Sequence, residues 1–441
     1  MMANQTFPGG ISPGHFKDTK DKPIESLELP KKVYIPMEQH IGAPCTPTVE
    51  VGDYVKTGQK IGESDKFVSA PVHASISGEV VDIVQYNHPL GNTSQTVVIE
   101  SDGQDEPDYQ DEEQTVNLDS FSAEEIKNVV KEAGIVGLGG ATFPTHVKIS
   151  PPEDKPIDTV LINGAECEPF LTSDHRLMVE QAEKIIFGLR AIMKAVNCDR
   201  GIIAIEDNKP DAVEAMNSLV TDDDSLEVMT FETKYPQGAE KQLIKAALDR
   251  EVPSGGLPMD VGCVVNNTGT ALAVADALRT NKPILERVVT ISGPGIEQSG
   301  NFMVRLGTLA SDLIEQLGGM GDQTRKIIMG GPMMGISQPN ADFPVIKGTS
   351  GVLLLTDQEV QIFEERPCIN CGRCVDSCPI SLLPNLLGTF MEHERPDKAE
   401  DFNALDCIEC GCCTYICPAR RPLVHYIRVA KGEIMAKRQN K

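Results

Sequence analysis

From residue 30 to 100, apolar and polar positions alternate in short runs, as at 48–51, 60–61 and 79–84, with Gly and Pro between them. A period of two broken by turn residues predicts a small all-β module. The stretch that follows, SDGQDEPDYQDEE at 101–113, carries seven acidic residues and no basic one. It is too polar to bury a core and is expected as an acidic linker over 106–120. Ser122 and Glu125 then form a capping box ahead of an amphipathic run, which predicts a helix over 123–133. Further on, apolar strand-like runs at 159–164, 201–207, 226–232 and 263–267 alternate with helical periodicity. The helical stretches are 177–197, a run opened by Asn208 and Pro210, 238–248 and 269–279. Four alternations predict a parallel sheet covered on both faces, with ligands at the carboxyl ends of its strands. Residues 285–355 return to short strands with one helix.

Length and charge narrow the function. A chain of 441 residues has room for two to four domains. Its 40 Lys and Arg face 65 Asp and Glu, and a net charge of −25 repels phosphate, so no nucleic acid partner is expected. No apolar run reaches the roughly 18–20 residues of a membrane-spanning helix. The start, MMANQTFPGGISPGHFKDTK, lacks the cationic and apolar regions of a secretory signal, so a cytosolic chain is expected. With no Trp and 5% aromatics, a bound nucleotide must be held by glycines, amides and charges.

Cysteine spacing is the most specific signal. Of 13 cysteines, eight fall into two identical frames, Cys368, Cys371, Cys374, Cys378 with Pro379, and Cys407, Cys410, Cys413, Cys417 with Pro418. Each reads C-x2-C-x2-C-x3-C-P, the bacterial ferredoxin run, whose fourth Cys ligates the other cluster. The expected sets are therefore crossed. Cys368, Cys371, Cys374 and Cys417 would hold one 4Fe-4S cluster, and Cys407, Cys410, Cys413 and Cys378 the second. A zinc ribbon needs four ligands rather than eight in duplicated frames. Cys412 reads as a packing thiol, and Cys45, Cys167, Cys198 and Cys263 as small buried hydrophobes.

The string GIVGLGGATFPTHVK at 134–148 follows a helix, so it is not the dinucleotide fingerprint of a strand–turn–helix unit. Its company gives it meaning: NGAECEP at 163–169 and NNTGT at 266–270 both end predicted strands. Glycines let a ring or phosphate approach the backbone, Asn offers donor and acceptor, and Thr268 and Thr270 open a helix whose N-terminus favours phosphate. These motifs resemble those of the NADH-binding flavoprotein subunit of respiratory complex I, where the loop reads GRGGAGFPTGLK, the acidic segment NADESEP and the later motif VNNVET. The resemblance implies FMN contacts at Gly137, Gly139, Gly140, Lys148, Asn163, Glu166, Tyr235, Gly238, Asn266, Asn267 and Thr268, and NADH contacts at Phe143, Glu168 and Glu240. Leu138, Thr142, Ala165 and Ala239 depart from that pattern by replacing an Arg, a Gly, an Asp and a Glu.

The residues APCTPTVEVGDYVKTGQKIGESDKFVSAPVHASISGEVVDI resemble the barrel-sandwich hybrid of biotinyl and lipoyl domains, with Lys66 in the place of the acceptor lysine and read as a solvated charge. Residues 285–356 resemble the soluble-ligand-binding (SLBB) β-grasp module. In this order the parts resemble the C subunit of the Rnf complex, the ion-translocating ferredoxin:NAD oxidoreductase. The expected fold is multidomain, α/β and α+β. It comprises an N-terminal barrel-sandwich hybrid (1–105), the linker, a Rossmann-like FMN/NADH domain (121–284), the β-grasp module (285–356) and a helical ferredoxin-type domain with two 4Fe-4S clusters (357–441). The resemblance implies a peripheral NADH, FMN and iron–sulfur electron-transfer subunit on the cytoplasmic side of the bacterial cell membrane. Its partners would be the integral and iron–sulfur subunits of the complex and, indirectly, ferredoxin. The chemistry is coherent, because a hydride donor delivers electrons in pairs, a cluster takes one, and a flavin can serve both. No catalytic acid is required, and His15, His73 and His146 are given no catalytic role. A soluble flavin iron–sulfur reductase, such as a cobalamin reductase, and an electron-wire scaffold with a decayed nucleotide site remain alternatives. The tail, with Arg420, Arg421, Arg428, Lys431, Lys437, Arg438 and Lys441 against Glu433 alone, suggests contact with an acidic partner or anionic lipid, or equally a solvated helix end.

Overall fold

Alternating burial shapes the first module: in Lys32–Pro36, Val33 and Ile35 point inward while Lys32 and Tyr34 lie at its edge. This strand joins Thr93–Ser101, Gly78–Asn87 and Tyr54–Val55 in an antiparallel sheet, and a second sheet of Thr46–Pro47, Lys60–Glu63 and Val72–His73 closes over it. Val33, Ile35, Ile61, Val80, Val97 and Ile99 fill the space between them, each contributing about 1.5–3 kcal/mol by leaving water. In this computed structural model, residues 6–110, 115–221, 223–360 and 363–439 are described.

The second module is a parallel sheet in the order Leu226–Phe231, Gly201–Glu206, Thr159–Gly164, Cys263–Asn267. Both faces are covered, as parallel sheets require. Val160, Ile162, Ile203 and Val264 meet the helices Ala182–Ala195 and Thr268–Thr280, while Leu161, Ile202 and Val265 meet Leu243 and Ile244 of Glu240–Leu248. The two helices on the first face touch so closely that a Cβ on Gly188 would lie 1.9 Å from the Ala271 carbonyl oxygen. The chain winds outward from Thr159–Gly164 and returns to its other side for Cys263–Asn267, so the strand order reverses between these two. A crevice opens at their carboxyl ends.

The β-grasp sheet holds a strand that no periodicity announced. Its order is Ile24–Ser26, Gly300–Arg305, Glu286–Ser292, Gly351–Thr356, Thr324–Met329, Ile336–Gln338, with the helix Ala310–Gln316 alongside. Three residues from the N-terminal segment thus form an edge of a sheet otherwise made far down the chain. The acidic stretch is likewise more engaged than its composition suggested. Asp105 pairs with Arg305 at 2.5 Å, Glu106 with Lys56 at 2.6 Å, and the Asp108 amide donates to the Thr57 carbonyl at 2.7 Å. Each of these two acids has a cation waiting for it.

Lys347 locks three modules together. Its buried ammonium donates to the carbonyls of Pro71 (2.9 Å) and Gly134 (2.7 Å), and burial lowers its pKa to about 8. Burial, reinforced by that ammonium, also holds His40 down to about 4 and His73 down to about 3. Both are neutral in the folded chain, and the Ala70 amide donates to His40 Nε2 at 2.9 Å. Below the ordinary histidine value of about 6.5 the unfolded chain binds protons that the folded one refuses. Stability should therefore be fully present above that pH and fall on acidification, by about 1.4 kcal/mol per pH unit per histidine. Denaturant midpoints from pH 7 to 4.5 should show a shallower fall in a His73→Gln variant.

Short helices make the last module, around Leu387, Ala399, Ile427 and Ile434. The basic C-terminal helix Leu423–Gln439 is largely balanced within the chain: Arg428 and Lys431 pair with Glu409, and Arg438 with Glu400. This corrects the picture of an unmatched basic tail, because its acidic partners lie earlier in the same module. Lys441 lies outside the described residues. Among the described residues, no helix is long and apolar enough to cross a membrane.

Candidate redox site

The glycine loop closes on itself over the crevice. The Gly137 amide donates to the Phe143 carbonyl (2.9 Å) and the Thr142 amide to the Gly137 carbonyl (3.2 Å). Leu138 is buried in the core, and its amide donates to Thr270 Oγ1 at 2.9 Å, pinning the loop to the helix that follows Asn267. Gly139 and Gly140 are left exposed at the tip. A Cβ on Gly139 would sit 3.4 Å from the Asn267 side chain, whereas one on Gly140 would meet nothing within 4 Å. Gly140 has φ +121°, so its bare backbone faces open space in a conformation that side chains resist.

Beneath the loop, adjacent strands bring Asn163 and Asn267 into register. Their amides are spent on the protein. Asn163 donates to the Gly238 carbonyl (2.7 Å) and accepts from the Ala165 amide (3.2 Å). Asn267 accepts from the Gly269 amide (2.8 Å) and donates to Asp174 (2.6 Å). Asn266 differs: it is 4% exposed, and neither its carboxamide oxygen nor its nitrogen has a partner. The buried Thr268 hydroxyl is also unpartnered. Orphaned donors and acceptors of this kind are costly unless a ligand satisfies them. Lys148 and Glu240 pair at 2.7 Å, and Phe143 is half-buried.

Three expected contacts turn elsewhere. Glu166 caps the helix Ser173–Glu180, accepting from the amides of Asp174 (2.7 Å) and His175 (3.2 Å). Both Glu168 carboxylate oxygens accept backbone amides of the β-grasp loop, Met333 at 3.0 Å and Met334 at 2.8 Å, and burial raises its pKa. Gly331 in that loop has no room for a Cβ, which would lie 2.2 Å from the carboxylate. Tyr235 is buried with its hydroxyl donating to the Cys410 carbonyl at 2.8 Å.

Lys17 is a residue that sequence reasoning missed. Its ammonium donates to the carbonyls of Glu166 (2.8 Å), Glu168 (2.9 Å) and Leu171 (2.5 Å), fixing the loop that carries both acids. Its partners stand about 150 residues away, and nothing local marks it. A Lys17→Met variant leaves three carbonyls without this donor, so urea unfolding should show a loss of roughly 2–4 kcal/mol. Cys167 accepts from the Gly238 amide at 3.4 Å, and burial pushes its thiol up, away from nucleophilic reactivity.

The C-terminal cysteines line two cavities. One is bounded by Cys368, Cys371, Cys374 and Cys417, the other by Cys378, Cys407, Cys410 and Cys413. The two loops repeat each other's backbone: Asn370 and Glu409 have φ +53° and +59°, Gly372 and Gly411 +76° and +80°. Amides of Asn370, Leu382 and Glu409 donate to the sulfurs of Cys368, Cys378 and Cys407 at 3.3–3.4 Å. Among the described residues, no three Cys, His or acidic side chains gather tightly enough for a single ion. Thiolates spread around a cavity suit a cube of iron and sulfide. Cys371 is exposed, whereas Cys410 is buried near Tyr235 and Met333. The first cavity is thus the outer and the second the inner. Cys412 packs in the same buried group as Cys410.

Comparison with known proteins follows this layout. Residues 5–104 match the RnfC barrel sandwich hybrid domain, 130–276 the Nuo51 FMN-binding domain, 288–337 the SLBB domain and 367–420 the 4Fe-4S dicluster domain. The chain is 50% identical over 435 residues to the C subunit of the Na(+)-translocating ferredoxin:NAD(+) oxidoreductase complex of Acetobacterium woodii, covering 98% of each. It is 49% identical over 431 residues to the C subunit of the proton-translocating complex of Clostridium ljungdahlii, covering 97% of this chain and 94% of that one. The chain belongs to this C-subunit family. A more distant member, from the ion-translocating oxidoreductase complex of Rhodobacter capsulatus, is 39% identical over 437 residues and is covered to 84%. As a member of the family, the chain is an oxidoreductase component with an FMN domain and a pair of 4Fe-4S clusters. Asn266, Thr268 and the glycine loop fit a flavin, and the cysteine cavities fit the clusters.

Proposed function

We infer that the chain carries electrons between NAD(H) and partner subunits through FMN, then the inner cluster, then the outer one. FMN would lie in the crevice against Gly137, Gly139, Gly140, Lys148, Asn266 and Thr268, its chemistry being the exchange of paired for single electrons. Asn163, Gly238 and Asn267 shape that crevice, and Glu166 and Tyr235 support it from behind. Phe143 and Glu240 would meet NADH, while Glu168 anchors the loop between crevice and clusters. The Tyr235–Cys410 hydrogen bond carries this reading. It ties the segment leading to Gly238 directly to the inner cluster's loop. Exposed Cys371 leaves the outer cluster free to meet an iron–sulfur partner. The chain would sit peripherally on the cytoplasmic side of the membrane, bound to integral subunits that move the ion. Anaerobic rapid mixing tests this: NADH should bleach bound FMN first and the clusters after it. Clusters that stay oxidised while FMN is fully reduced would overturn it.

A further inference from the structure

The two runs stand 39 residues apart, and apart from Asn370 in the outer cavity and Cys412 and Ile427 in the inner, each residue lining one cavity has a counterpart lining the other. Ile369 matches Ile408, Gly372 matches Gly411, and Pro418 matches Pro379. Among the matched pairs, two differ in chemical character. Leu382 and Val424 line the inner cavity where Arg421 and Asn385 line the outer. Arg421 is 1% exposed and leads the chain's largest fully buried side chains. The carboxylates of Glu365 (3.5 Å) and Glu392 pair with it, and Cys368 of the cavity's ring is within reach of the same guanidinium. The buried Asn385 oxygen is unpartnered. The inner side has its own cation, Lys431, but it does not line the cavity. Its ammonium is committed to the Cys407 carbonyl (2.9 Å) and to Glu409.

Arg421 is ion-paired to Glu392 and at the same time faces Cys368 of the thiolate ring, so its charge and a donor lie against the place of a cluster sulfur. A cluster gains one negative charge on reduction, and a fixed cation that can also donate to its sulfurs favours that state. Water screens such a charge little when it is buried. We propose that Arg421 raises the reduction potential of the outer cluster above that of the inner one. The proposal rests on the two-cluster reading above. One electron leaves the inner cluster and one enters the outer, with no bond or proton change, and the surface cluster is the sink of the pair.

Redox titration of the anaerobic full-length chain, followed by electron paramagnetic resonance, tests this. A soluble paramagnetic relaxer identifies the outer cluster through its exposed position. In the native chain the outer midpoint should be the higher. Arg421→Gln should lower it, cutting the outer cluster's reduced-to-oxidised ratio at least tenfold at a fixed potential, which is 59 mV for a one-electron couple. The inner midpoint should stay in place, and Arg421→Lys should restore most of the shift. Glu392→Gln, at a partly exposed carboxylate, removes a compensating charge and should move the outer midpoint upward. That variant decides the matter if Arg421→Gln loses its cluster. Two intact clusters with an unmoved outer midpoint in either variant would overturn the proposal alone. Iron and sulfide analysis showing fewer than two clusters would overturn the underlying reading, and the proposal with it.

Discussion

A Cys378→Ala variant will lose the inner cluster, although Cys378 belongs to the run that supplies three ligands to the outer one. The inner cavity is closed by Cys378 together with Cys407, Cys410 and Cys413. Iron content should fall from about eight to about four per chain, and the surviving resonance should be that of the solvent-accessible cluster. FMN should remain bound and reducible by NADH, because no cysteine of either run lines the crevice. Reduction of the outer cluster by NADH should slow sharply, since the relay between them is gone. Persistence of the inner signal with loss of the outer would show that each run serves its own cluster.

Removing the carboxamide of Asn266 should separate flavin affinity from fold stability. Both ends of this buried amide are unpartnered within the chain, so the protein alone bears the full desolvation cost. Asn266→Ala should weaken FMN binding by about 2–4 kcal/mol, roughly 30- to 1,000-fold, if two ligand hydrogen bonds are lost. The flavin-free chain should unfold at the same denaturant concentration as the native one, or a higher one. Asn267→Ala provides the contrast. Asn267 caps a helix and holds Asp174, so its loss should lower the stability of the flavin-free chain by about 1–2 kcal/mol. Titrating flavin fluorescence and comparing urea midpoints distinguishes the two asparagines.

These neighbouring asparagines show what the sequence could convey. That NNTGT ends a strand and opens a helix was legible, because Val264 and Val265 have strand chemistry and Asn is a natural helix cap. Asn267 caps locally through the Gly269 amide, but that its other end is also taken depends on Asp174, nearly a hundred residues away. The two cysteine frames were legible from their spacing, and the fourth Cys of each run turns to the neighbouring cavity as that run leads one to expect. Glu168 was not: its sequence neighbours resemble an acidic nucleotide wall, but the amides of Met333 and Met334 claim it. Lys17 and the strand Ile24–Ser26 escaped notice for the same reason. Their partners are non-local, and three residues are too few to show a period.

The leading segment of the chain is made first and fastened last. Gly10 donates to the Ser377 carbonyl, Ile11 pairs with Tyr235, and Ile24–Ser26 waits for Gly300–Arg305. A ribosome adding about 5–20 residues per second makes Ser377 roughly 20–70 s after Gly10. Within that interval Lys17, Ile11 and Ile24–Ser26 meet their partners in turn, at Glu166, Tyr235 and Gly300–Arg305, and Gly10 is left to last. The end of the chain that is made first is thus secured in full only after the first cysteine run, which holds Ser377, has been made.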